Sequence, residues 1–273
     1  MNKKTKELYY SMWNIAIAIC LVLALFAVFL PSCTRRTVTE TQTVETTAAD
    51  ATLAESTASD EPVAETEPVI VPTILPETED AGEEYLSRIV ILGDTVAAHY
   101  CDAGYLEAGQ VWTGQFTETT VQDAAQGTIS FYGKSGTSHS IATAVGSETP
   151  DIIIIALGSY GLTETDEASF KDAYGQIIAD IRNSSPATTV ICQSVLPVLE
   201  SALDDGTTNA MIEQANDWIL ESAEEYGVHY LNLYDELVDS TGNLYGVYAE
   251  EDGRTLTESG CEAVMQLIRT HTL

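Results

Sequence analysis

Seven consecutive residues, 151–157, read D-I-I-I-I-A-L, and they constrain the fold more than any other stretch of the chain. A strand that meets water on one face alternates apolar and polar residues, because successive side chains point to opposite faces. This run does not alternate, so both faces must be covered, as for a central strand of a parallel sheet with helices on either side. Further short runs with strand character are 88–92, 128–132, 189–194 and 229–233. Between them lie stretches with helical spacing at 95–103, 140–145, 166–183, 209–226 and 257–271. In the third of these, Phe170, Tyr174, Ile177, Ile178 and Ile181 recur at three- or four-residue intervals, the mark of one buried helical face. Strands alternating with helices predict an α/β domain, a three-layer α/β/α sandwich around a five-stranded parallel sheet. Ligands bind such sheets beyond the carboxyl ends of the strands, here the loops starting at Gly93, Gly133, Gly158, Ser194 and Tyr234.

The first third of the 273 residues cannot share that fold. Lys3, Lys4 and Lys6 precede an apolar run from Met12 to Leu30, close to the roughly 20 residues that cross a bilayer core. Residues 1–33 are therefore expected to be a basic tip and a single transmembrane anchor, with the rest of the chain outside the cytoplasm. The tetrad Leu30-Pro31-Ser32-Cys33 leaves a second option open, a lipoprotein-like signal cleaved before a lipidated Cys33. Residues 34–85 are rich in Thr, Glu, Ala, Val and Pro, with Pro62, Pro68, Pro72 and Pro76 among repelling carboxylates. Such a segment buries too little apolar surface to offset its ordering entropy, so an extended, disordered stalk is expected there. The folded domain is then expected over 86–273.

With 42 Asp and Glu against 11 Lys and Arg, the formal net charge is −31. A surface of that sign repels phosphate backbones, which argues against nucleic acid as a partner. Cys192 falls in an apolar strand run and is expected as a small buried hydrophobe, while Cys101 and Cys261 are open as a bridge or as free thiols. No paired C-x-x-C or H-x-x-x-H spacing supports a metal site, and no cofactor is expected.

Four blocks carry a family resemblance. Residues 88–95 read R-I-V-I-L-G-D-T, residues 134–137 K-S-G-T, residues 151–161 D-I-I-I-I-A-L-G-S-Y-G and residues 252–257 D-G-R-T-L-T. In order and spacing the chain resembles the SGNH (GDSL-type) hydrolases over essentially all of 86–273, in particular membrane-anchored forms from Gram-positive bacteria. The resemblance implies a flavodoxin-like sandwich and an esterase site, with the nucleophile position at Thr95, an oxyanion-hole glycine at Gly136, the second oxyanion donor at Tyr160, the triad acid at Asp252 and the base at Thr255. At these places the family has serine, glycine, asparagine, aspartate and histidine.

Three of those five positions therefore depart from the family's chemistry. Threonine can serve as a nucleophile but needs a base, and Thr255 cannot be one. Losing a triad nucleophile or histidine costs up to about 10⁶ in turnover, and losing an oxyanion donor about 10²–10³. The resemblance thus implies a domain with lost or very weak esterase activity that binds an acylated cell-surface carbohydrate. The alternative is an active carbohydrate or lipid esterase that uses Thr95 with His99, one helical turn on, or His139 as base.

Overall fold

The computed structural model describes residues 73–114 and 118–273, and for residues 203–205 the backbone alone. The expected anchor, Cys33 and the stalk up to residue 72 lie outside the described residues. No helix among the described residues is long and apolar enough to cross a membrane.

Six strands form one sheet in the order β3-β2-β1-β4-β5-β6: β1 (Ile89–Gly93), β2 (Val111–Thr113), β3 (Ser130–Phe131), β4 (Ile152–Ala156), β5 (Thr189–Gln193) and β6 (His229–Leu231). The helices among the described residues are α1 (Gly82–Ser87), α2 (Thr95–Asp102), α3 (Val121–Gln126), α4 (Ile141–Glu148), α5 (Glu167–Ser184), α6 (Asn209–Tyr226), α7 (Tyr234–Leu237) and α8 (Glu258–Thr270), with a 3-10 turn at Glu200–Asp205. As its apolar run requires, β4 is central, pairing in parallel with β1 and β5. Ile153 and Ile155 point into the core shared with α3 to α6, and Ile152 and Ile154 into the core shared with α1, α2 and α8. All four are at most 3% exposed, and burying an isoleucine contributes about 1.5–3 kcal/mol.

The structure corrects the sheet in two ways. It has six strands, because the three-residue β2 is too short to show periodicity, and it is mixed, because β3 runs antiparallel to β2. The register sets Ser130, where β3 starts, opposite Thr113, where β2 ends. The chain leaving β2 through the six-residue α3 thus re-enters the sheet from the edge it had just reached. It then turns at Gly133 and comes back to pair His139 with Ile129.

The expected boundary at residue 86 is also corrected. Ile74 pairs in parallel with Tyr230 beside β6, Leu75 is 4% exposed, and α1 packs on α8 with Tyr85 buried. Arg269 of α8 ties this strap down through ion pairs with Asp80 (3.1 Å) and Glu83. Residues 73–85 thus belong to the domain. Cys101, Cys192 and Cys261 are all free thiols, with Cys192 fully buried in β5.

Candidate active site

The carboxyl ends of β1, β4 and β5 converge on Thr95. At Gly93 a Cβ would fall 2.5 Å from Ala97 Cβ and 3.3 Å from the Ala156 carbonyl, so only glycine lets α2 start this close to the sheet. Asp94 caps α2 by accepting from the Val96 N–H at 3.0 Å. Its side chain is 1% exposed, and burial pushes its carboxyl up to about 6, even though the Ser159 hydroxyl and the Val96 and Ala97 N–H groups favour the charged form. Thr95 is the first residue of α2, and its Oγ1 is buried without a hydrogen-bond partner.

β4 supplies the loop above it. Gly158 has a φ of +125° and no room for a Cβ, which would meet Val195 Cγ2 at 2.8 Å. The backbone can therefore swing sharply and deliver Ser159 towards Asp94 and Tyr160 towards Thr95. The half-buried Tyr160 phenol is raised above its ordinary pKa by burial. The Thr95 side chain and the Arg254 charge pull the other way, without a hydrogen bond of ordinary geometry between Tyr160 and Thr95. From β5, Ser194 Oγ accepts from the Leu233 and Tyr234 N–H groups at 2.9 and 3.0 Å, and Asn216 braces Val195 through both its backbone groups.

The fourth block closes on itself. Asp252 accepts from the Thr255 hydroxyl at 2.6 Å and from the Arg254 and Thr255 N–H groups at 3.0 and 2.9 Å. Burial alone would raise its pKa, but these donors and the Arg254 charge outweigh that and hold it below the usual aspartate range. Arg254 also donates to the Ala202 carbonyl at 3.0 Å, so the loop reaches Tyr160 through its arginine.

Among the described residues no hydrogen bond joins the remaining positions to Thr95. Gly136 follows the antiparallel β3, and the turn that starts it packs at Gly133 against Ala108, ahead of β2. The Gly133 turn is thus at the amino edge of the sheet, and from there the chain returns through Gly136 to His139, beside Ile129 and the carboxyl end of β2. The glycine that stands at the carboxyl end of β2 is Gly114, whose N–H donates to Thr119 Oγ1 at 2.9 Å. His139 pairs with Ile129, stacks on Phe131 at 5.8 Å and meets Thr137 through its Nε2 at 3.3 Å. His99 lies in the last turn of α2 and makes no side-chain hydrogen bond among the described residues. Sequence reasoning missed Asp94, Ser159, Arg254 and Gly114, although the first three stand inside the quoted motifs. Among the described residues no group of three or more His, Cys, Asp or Glu could hold a metal ion.

A nucleophile turn after β1, a glycine turn after β4 and an aspartate loop before the last helix, in that chain order, are matched over residues 91–257 by the model of the GDSL-like lipase/acylhydrolase family, more than half of the chain. The chain belongs to that family. Among solved structures it is similar to a GDSL-like lipase from Bacteroides thetaiotaomicron, with a TM-score of 0.52 and 17% identity, covering 68% of this chain and 87% of that one. It is also similar to an acetyl xylan esterase, with a TM-score of 0.50 and 13% identity, covering 68% and 99%. At these identities the likeness is one of fold. A search of curated proteins by sequence finds no match. Within the GDSL-like fold, Tyr160 stands beside Thr95, and the charge of Arg254, from the Asp252 loop, acts on the Tyr160 phenol.

Proposed function

We propose that this GDSL-like domain has lost ester hydrolysis and serves as a binding module, tethered outside the cytoplasm, for an acylated cell-surface carbohydrate. The observation that carries the reading is that Thr95 Oγ1 is buried beside Tyr160 with no basic side chain hydrogen-bonded to it. A nucleophile must be reachable and hydrogen-bonded to its base, and Thr95 is neither. The closed Asp252–Thr255 pair supports the same conclusion, since the acid's carboxylate is spent on its own loop.

The acylated carbohydrate rests on the family and on the acetyl xylan esterase among its structural neighbours. Tethering rests on the apolar run 12–30.

The test is hydrolysis of an activated acetyl ester by the protein, by its Thr95→Ala variant and by the Thr95→Ser/Tyr160→Asn/Thr255→His triple variant. Background rates in the first two and a gain in the third support a silenced site. Turnover in the unmodified protein that Thr95→Ala removes would sink the proposal and send the search for a base to His99 and His139.

A further inference from the structure

Beside the first turn of α2, next to Asp94, Val96 and Ala97, lies a partly open cavity of about 10 Å³. The turn between β1 and α2 contributes Asp94 to its wall, α2 contributes Tyr100 and β5 contributes Gln193. These side chains are 1%, 1% and 3% exposed. Asp94 Oδ2, Tyr100 Oη and Gln193 Oε1 are each buried with no hydrogen-bond partner in the protein. Buried polar atoms are nearly always paired, and one left alone bears its full desolvation cost, so three around one small void call for a shared partner.

We propose that this cavity is a binding site for one water molecule, which donates to Asp94 Oδ2 and Gln193 Oε1 and accepts from the Tyr100 hydroxyl. Donors and acceptors balance. A carboxylate oxygen and an amide oxygen only accept, a phenol donates one hydrogen, and a water offers two donors and spare lone pairs. Size agrees too, since a cavity of about 10–15 Å³ holds one water, and buried waters typically make about three hydrogen bonds. A hard cation takes six or more oxygen ligands, and three oxygens in this volume are too few.

The water joins the three elements that aim the turn at 94–95. It supplies a donor to Asp94 Oδ2, the oxygen that does not take the Val96 cap, in a carboxyl whose charged form burial disfavours. The inference concerns the support under the cleft and holds whether or not the cleft binds an ester.

The test compares thermal unfolding of the full chain with that of Tyr100→Phe, Gln193→Met and the double variant. With a bridging water each single change breaks a network and lowers the midpoint by about 2–4 °C or more. The double variant then loses less than the sum, although no direct hydrogen bond links the two side chains. In a dry cavity each change removes an unpaired polar atom, so the midpoints hold or rise and the effects add, which overturns the proposal. A crystal structure that resolves ordered solvent decides independently of how well the variants fold. Density within hydrogen-bond distance of all three atoms confirms the site, and a void there refutes it.

Discussion

The Thr255 hydroxyl donates to the Asp252 carboxylate at 2.6 Å, in the loop where the family keeps its acid and base. With an imidazole at 255 that carboxylate would be turned towards a base. With threonine it becomes the acceptor of a closed turn that also takes the Arg254 and Thr255 N–H groups. The aspartate thus has a structural role in its own turn, independent of any catalysis.

Thr255→Val tests that role. It removes one donor from an exposed carboxylate, so the expected loss is about 1 kcal/mol, discounted for solvent screening. The folded-state pKa of Asp252 is depressed, so its contribution is present above the unfolded value and fades as pH falls through the folded one. The gap between variant and parent should be full at pH 7 and shrink in acid below about pH 4. A gap of the same size at pH 2.5 would show that Thr255 acts through packing instead.

Asp94 behaves in the opposite sense. Its folded pKa is raised from 3.8 to about 6 by burial, so the protonated form is favoured in the fold. Stability from this group is fully present below the unfolded pKa and is lost as pH rises through about 6, at a cost on the order of 3 kcal/mol. Asparagine caps helices as well as aspartate does. Asp94→Asn should therefore be more stable than the parent at pH 8 and lose the parent's decline between pH 4 and 6 in urea titrations.

How far the sequence spoke depended on how many neighbours each residue needed to declare its role. The run 151–157 revealed a strand covered on both faces because its own composition says so, and the Phe170 to Ile181 spacing revealed α5 for the same reason. β2 has three residues, and the direction of β3 is set by a register across the sheet, so neither is written in local pattern. The Lys-Ser-Gly-Thr match named Gly136 as the oxyanion-hole glycine, whereas the glycine at the carboxyl end of β2 is Gly114. The places in the fold of the loops that carry Thr95, Tyr160 and Asp252 were legible, because each loop follows a parallel strand or precedes a helix. The cavity lined by Asp94, Tyr100 and Gln193 was not, since those side chains meet only through tertiary packing.

The strap ahead of β1 yields a third prediction. Its acidic, Pro-containing sequence looks like more stalk, yet Leu75 and Tyr85 are buried, and Leu75 and Tyr230 donate across the β6 edge, the first to the Tyr230 carbonyl at 2.9 Å and the second to the Thr73 carbonyl at 2.6 Å. The two buried side chains alone are worth roughly 3–6 kcal/mol. A chain beginning at residue 86 should unfold at clearly lower urea than one beginning at residue 66. Equal midpoints would mean that the strap only rests on the domain.

Gly93 offers the most direct check on how the cleft is built. A methyl there would stand 2.5 Å from Ala97 Cβ, well inside van der Waals contact, and the Ala156 carbonyl at 3.3 Å blocks retreat towards β4. Gly93→Ala should cost about 1–3 kcal/mol by overpacking. The clash is with one side-chain atom, so Gly93→Ala/Ala97→Gly should recover part of that loss despite the roughly 1 kcal/mol penalty of glycine within α2. Independent, additive losses in the two variants would place the strain in the backbone at 93 and not in the contact between strand and helix.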